Sequence, residues 1–423
     1  MKNIERLRGV IDLFLENSER INSKKEHKYW YPLSMAVYGV DEILEALDSM
    51  CSFRTTMWEK TEQFEKMFAQ YIGCAEAVMV NSGSSADLIL THLLRKKVGS
   101  DSDKNAVIMP AVTWPTQIWS TINAGFDVRL VDIDPITLNI CYAELEKAVD
   151  DRTAAIFLVH LMGNPCDADR VKSIIGDRDI EILEDCCESL GATICGKHTG
   201  NFGFGGSYSF FFSHHMTTME GGMIVLNSPE LAAQARIMRA HGWTRNVEFS
   251  GYGDIDPRYT FVDDGFNLRP TELQAAFGLH QLKKLGDFNR KREILSTKFF
   301  AYISRKKWVH CPISFGQPSW LGLPIIVKRN APFSRNEMVR YLESQGIETR
   351  PIVAGNLMRH PVASKVKMEI FGTLDGADRI HDCGFYIGLS PMFEEHHIDR
   401  LTEIFDAYLR VYGDGEYDIR TTY

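Results

Sequence analysis

Between Ala77 and Phe212, short apolar runs alternate with amphipathic ones, and few architectures accept that alternation. The apolar runs are "AVMV" (Ala77–Val80), "AVIMPAV" (Ala106–Val112), "VRLVDID" (Val128–Asp134), "AAIFLVHL" (Ala154–Leu161), "IEILEDC" (Ile180–Cys186) and "SYSFFF" (Ser207–Phe212). Between several of them lie segments of helical period, such as "SSADLILTHLL", "AELEKAV" and "DRVKSII". Strands that are apolar on both faces need cover on both faces. The expected fold is therefore α/β, a mainly parallel central sheet flanked by helices. Ligands of such sheets bind at the carboxyl ends of the strands, so the loops after each run are where chemistry is expected.

A chain of 423 residues is too long for one typical domain. Residues 1–30 are predicted to form a helical arm, with Ile4, Leu7, Val10, Ile11, Phe14 and Leu15 at helical spacing and packed on the body or on a partner subunit. Residues 31–285 form the large domain. A long helical stretch from Thr271 to Ile303 leads out of it, and residues 286–423 form a smaller α+β domain. The net charge of −9 argues against a nucleic-acid surface. No run has the length of a membrane span. The nine cysteines contain no C-x-x-C pair, which fits reduced thiols in a cytoplasm.

Four strand ends carry candidate chemistry. In "VNSGSSADL" (Val80–Leu88) a turn at Gly83 opens a helix, and its free N–H groups, with Ser84, suit an anion; the plain alternative is a helix cap. In "PAVTWPTQ" (Pro110–Gln117), Trp114 is either a core residue or a flat wall for an aromatic ring. In "ILEDCCESLGA" (Ile182–Ala192), Asp185 either caps a turn or meets a buried cation such as a protonated pyridine nitrogen. The adjacent Cys186 and Cys187 are read as small buried fillers. Lastly, "SHHMTTMEGG" places His214 and His215 after a strand, where a surface or core pair is the plain alternative. Neighbours on an extended chain point opposite ways, so the two alone make no metal site. The later pair His396-His397 reads as a solvated helix start.

In this order the segments resemble the sugar aminotransferase family (DegT/DnrJ/EryC1/StrS), which uses pyridoxal 5'-phosphate (PLP). Its members show S-F-x-x-x-K-x-x-x-x-x-E-G-G. Here Ser209-Phe210 begins that segment and Glu220-Gly221-Gly222 ends it, which puts His214 at the lysine position. The substitution resembles a small branch of the family, the nucleotide-sugar 3-dehydratases, as do "AHGWTRN" (Ala240–Asn246), "GFNLRP" (Gly265–Pro270) and "RPIVAGN" (Arg350–Asn356). One relative in that branch carries an iron–sulfur cluster. The corresponding stretch here, Trp243–Tyr259, contains no cysteine, so no iron–sulfur cluster is expected.

The resemblance implies a fold-type I PLP-dependent transferase of aspartate aminotransferase-like architecture. It implies PLP and its pyridoxamine form as cofactor, held by Gly83, Ser84 and Ser209 at the phosphate, Trp114 at the ring face, Asp185 at the ring nitrogen and Glu188 beside the phenolic oxygen. Asn267 reaches the phosphate of a neighbouring subunit across a homodimer that shares its sites. His241, Arg245 and Arg350 are candidates for glutamate, sugar or diphosphate contacts. The implied activity is loss of the C3 hydroxyl from a nucleotide-linked 4-keto-6-deoxy sugar, with GDP as nucleotide and L-glutamate as amino donor. A histidine cannot join the cofactor covalently as lysine does; what remains for His214 is proton transfer. The alternatives are a nucleotide-sugar aminotransferase, a 3-dehydratase of another nucleotide-linked hexose or heptose, and a catalytically silent binding protein. No nucleic-acid or membrane partner is implied.

Overall fold

The computed structural model describes residues 2–24, 28–35, 37–245 and 253–413, and in it the apolar runs line up as one sheet. The order is Glu76–Val80, Gly222–Leu226, Gly205–Ser209, Glu181–Asp185, Thr153–Val159, Ala106–Pro110, Asp127–Val131 and Glu369–Ile370. From Gly205–Ser209 to the far edge, neighbours pair in parallel. The hairpin strand Gly222–Leu226 runs antiparallel to both its neighbours. The central strands are buried along their whole length, as two-sided cover requires. A second, antiparallel sheet joins Val309–His310, Gly322–Val327, Gly384–Gly388 and Thr349–Arg350.

The helix Glu272–Ile303 links the two sheets and runs through residue 285 without a break. Its start is fixed by a capping box, in which Thr271 accepts from the Gln274 N–H and the Gln274 side chain returns to the Thr271 N–H. Short Glu369–Ile370, from the C-terminal part, adds to the edge of the large sheet beside Asp127–Val131.

The arm forms a helix, Lys2–Lys24, but packs only in part. Ile11 is buried and Arg8 pairs with Asp41 at 2.8 Å, whereas Leu7, Val10 and Phe14 stay exposed. The side chain of Ile4 and residues Asn246–Tyr252 lie outside the described set. His396 and His397 open the helix Glu395–Arg410, where His397 Nδ1 accepts the Glu394 N–H. Among the described residues, no helix is long and apolar enough to cross a membrane.

One strand end is corrected. "SYSFFF" leaves the sheet after Ser209, because the hairpin closes there: Ser209 pairs with Gly222, and the Phe210 N–H turns back to Gly221 O. Phe211 and Phe212 are exposed loop residues.

Candidate active site

The carboxyl ends of Glu76–Val80 and Gly205–Ser209 meet at one point. Ser82 caps the helix Gly83–Val98, its Oγ accepting the Ser85 N–H at 3.1 Å. The first N–H groups beyond a cap have no carbonyl partner in the helix, so those of Gly83 and Ser84 face outward for an anion. A Cβ on Gly83 would lie 2.6 Å from Ser209 Cβ and 2.9 Å from Cys187 Sγ. Ser84 is exposed, its Oγ 3.0 Å from Thr116 Oγ1. Among the described residues Ser209 Oγ accepts only the Phe211 N–H, at 3.3 Å, which leaves its proton for a ligand. Gly83, Ser84 and Ser209 therefore form one cradle, with Thr116 added.

Asp185 ends the neighbouring strand and is buried, with no cation paired to it among the described residues. Its Oδ1 accepts the Cys187 N–H at 2.8 Å and its Oδ2 accepts from Gln117 Nε2. Burial raises its carboxyl above the ordinary carboxylate range; the Cys187 N–H and nearby His160 oppose that shift. Trp114 follows the strand Ala106–Pro110, with 59% of its surface open. A tryptophan this exposed is not serving the core. Glu188 accepts the Met162 N–H at 2.7 Å, which Met162 presents from a left-handed backbone at φ 57°. Burial raises its carboxyl to about 7, the Met162 N–H opposes, and the charge of Asp185 adds to the rise. It can hold a proton near neutrality.

His214 lies in the loop after Ser209. Its backbone N–H donates to Phe211 O at 3.0 Å, which closes a turn. Its Nδ1 is buried with no hydrogen-bond partner among the described residues. Burial, then the positive charge of Arg292, holds its imidazole down at about 4, so it is neutral at pH 7. His215 follows in the same bend. It is buried, with Nε2 2.8 Å from Ser319 O. Arg292, buried in the long helix, donates to His215 O at 3.3 Å and to Leu389 O at 3.1 Å. The same helix supplies Gln281, whose Oε1 accepts the Thr217 N–H at 3.1 Å. The histidine loop is thus fastened from below at two heights.

The remaining candidates stand apart from this cradle. Asn267 is exposed and its Oδ1 accepts from Arg269 Nε at 3.0 Å. With Arg239, Arg245 and Arg269 it lines a separate cleft of about 990 Å³. Arg245 lies over the Trp243 ring at 5.0 Å. His241 is exposed, at φ 64°, and its N–H donates to Phe266 O at 2.8 Å. Arg350 pairs with Glu348 at 2.8 Å. It sits opposite Tyr386, whose hydroxyl is pushed up to about 12 by burial, with the charge of Glu188 adding, so this strand borders the site.

Sequence reasoning missed Asp87, Gln117, Ser207 and Arg292. Asp87 had a signal: it follows Gly83 by one helical turn and so shares its face. Gln117, the second residue of the helix Thr116–Asn123, and Arg292, one of several cations in a long helix, had none.

The residues present suit a planar phosphorylated cofactor with a basic ring nitrogen. A cradle lacking a Cβ at its tightest point, an exposed indole, a buried carboxylate without a cation and an unpartnered imidazole nitrogen match its parts in turn. Comparison with known proteins agrees. The model of the DegT/DnrJ/EryC1/StrS aminotransferase family matches residues 38–406. GDP-4-keto-6-deoxy-D-mannose 3-dehydratase of Yersinia pseudotuberculosis is 39% identical over 383 residues, 88% of this chain and 96% of that protein. A solved GDP-4-keto-6-deoxymannose-3-dehydratase with a trapped PLP-glutamate geminal diamine has a TM-score of 0.85 at 36% identity, covering 88% of this chain and 99% of the other. A mutant of such an enzyme with bound GDP-perosamine has a TM-score of 0.84 at 36% identity, with coverage of 88% and 99%.

Proposed function

This chain belongs to the DegT/DnrJ/EryC1/StrS aminotransferase family, and within it we propose that the protein is a PLP/pyridoxamine phosphate-dependent nucleotide-sugar 3-dehydratase. It removes the C3 hydroxyl of a 4-keto-6-deoxy sugar carried on GDP, with L-glutamate as amino donor. One observation carries the reading: His214, at the position of the family's lysine, is held neutral by burial, and its Nδ1 has no hydrogen-bond partner among the described residues.

When bound, the cofactor supplies an electron sink for breaking the sugar's C3–O bond. The residues do the rest. The N–H groups of Gly83 and Ser84 and the hydroxyl of Ser209 bind the phosphate. Trp114 covers one ring face and excludes water. Asp185 holds the proton on the ring nitrogen. Glu188, able to carry a proton near pH 7, donates toward the phenolic oxygen. His214, neutral, takes a proton from the carbon next to the ring. A lysine there would also return that proton and complete amine transfer. Histidine leaves the path to oxygen loss open.

The protein acts as a homodimer with shared sites. Asn267 supports this, since it is exposed and stands apart from its own chain's cradle, with its Oδ1 on Arg269. His241, Arg245 and Arg350 are assigned to substrate contacts at the rim. Residues 1–30 form an arm, 31–285 the cofactor domain and 286–423 a small domain. The nine cysteines are all unpaired, in keeping with a reducing cytoplasm.

The test is mass spectrometry of GDP-4-keto-6-deoxymannose incubated with the protein, PLP and L-glutamate, with ammonia assayed alongside. Loss of one oxygen with ammonia release is expected. An amine in place of the carbonyl would make the protein an aminotransferase, and an unchanged sugar would overturn the GDP substrate.

A further inference from the structure

Behind the ring-nitrogen site lies a second carboxyl that the proposed chemistry does not use. Asp87, 1% exposed, projects from the helix Gly83–Val98 toward Asp185. Gln117 Nε2 joins the two, donating one hydrogen to Asp87 Oδ2 at 3.3 Å and the other to Asp185 Oδ2. The orientation of that amide is fixed at its other end, where Thr113 Oγ1 donates to Gln117 Oε1 at 2.7 Å. The remaining oxygen of Asp87 meets the hydroxyl of Ser207. No lysine, arginine or protonated histidine is paired with either carboxyl among the described residues. His160, whose backbone N–H donates to Asp185 O at 3.1 Å, turns its ring to other partners, with Nε2 3.2 Å from Glu184 Oε2 and Nδ1 accepting the Cys166 N–H at 2.9 Å. The Cys187 thiol beside the pair is held protonated by burial.

Two buried anions sharing one amide without a cation would repel strongly, so one of the two carries a proton. The hydrogen bonds decide which. Asp185 accepts a backbone N–H from Cys187 in addition to Gln117, which favours its anion. Among the described residues the Asp87 carboxyl accepts no backbone N–H. Its proton has a path: Asp87 O–H to Ser207 Oγ, with the Ser207 hydroxyl turned to Glu184 O at 3.5 Å.

We propose that Asp87 is a positioning residue, a neutral carboxylic acid that pins the Gln117 amide and, through it, aims a single negative charge on Asp185 at the cofactor ring nitrogen. This rests on the cofactor reading above and deepens it. Burial and the charge of Asp185, which hold the Asp87 carboxyl well above the ordinary range, agree with it.

The experiment compares the parent with Asp87→Asn and Asp87→Leu. Infrared difference spectra of the cofactor-free proteins at pH 7 should show a carboxylic-acid carbonyl band in the parent that Asp87→Asn lacks. In titrations with PLP, Asp87→Asn, which mimics the neutral acid, should bind within about twofold of the parent, and Asp87→Leu at least tenfold more weakly. Absence of the band, or equal weakening by Asn and Leu, would overturn the proposal. Should Asp87→Leu fail to fold, the infrared comparison with Asn still decides. Neither measurement uses a nucleotide sugar. A parent that binds no PLP would instead sink the cofactor reading, and leave the infrared result standing.

Discussion

Gly83 rests against Ser209 with no room between them, since a Cβ on the glycine would come 2.6 Å from the serine's Cβ. The serine cannot yield cheaply, as it is held in the sheet by pairing with Gly222. Gly83→Ala is expected to cost about 1–3 kcal/mol, as overpacking does, and to weaken PLP binding because the cradle must open. Urea unfolding and a PLP titration check both. Unchanged stability would mean that the strand and helix ends sit further apart.

Replacing His214 by Asn is expected to leave the fold and PLP affinity intact and to lower turnover about 10²–10⁴-fold, the usual worth of a positioned base. Substantial retained turnover would remove His214 from that role. His214→Lys should form a covalent PLP adduct that borohydride fixes and mass spectrometry detects. Failure to trap one would show that this loop does not hold the lysine position.

The pH dependence has a definite sign. His214 titrates at about 4 in the fold, against an ordinary 6.5. The stability it contributes is fully present above pH 6.5 and is lost as pH falls through 4, because the unfolded chain takes up the proton first. Between pH 7.5 and 4.5 the parent should lose about 2 kcal/mol more than His214→Asn in urea titrations. Equal losses would contradict the buried, neutral imidazole.

Glu188 runs the other way. Its carboxyl stands at about 7 in the fold, against an ordinary 4.5. The stability tied to its proton is fully present below pH 4.5 and is lost as pH rises through 7. Glu188→Gln, which keeps an acceptor for the Met162 N–H, should match the cofactor-free parent at pH 4.5. At pH 8 it should exceed the parent by about 1–3 kcal/mol. A deficit at pH 8 would show that the carboxylate is stabilised as an anion.

Asn267 and His214 offer a test of the shared site. Asn267→Ala and His214→Asn should each be nearly inactive alone. After mixing under subunit exchange, activity should return, because one site of each hybrid has both native residues. No recovery would place Asn267 and His214 in the same subunit's site, or outside it.

The strands, the helix start at Gly83 and the carboxylate at Asp185 were legible because each has a local cause: an apolar run, a cap, a charge at the end of a buried strand. The exit of the chain after Ser209 was not, since Phe210, Phe211 and Phe212 are all strand formers and only the hairpin with Gly222 decides where pairing stops. The Asp87–Gln117–Asp185 chain was equally hidden. Its members lie on three elements, and only the folded sheet brings them together. The same holds for Arg292, which reads as an ordinary helix cation until its carbonyl partners at His215 and Leu389 are seen.

A lysine bonded to its cofactor is tethered at both ends and finds its target by that tether. His214 is tethered at one end only. In the role proposed for it, its aim would come from the long helix Glu272–Ile303, which grips the loop through Gln281 and Arg292 and grips Leu389 beyond it. What a lysine would secure by a covalent bond, the proposed base would secure by the stiffness of a single rod. Tilting that rod by a few degrees would misalign the base without touching any residue in contact with the cofactor.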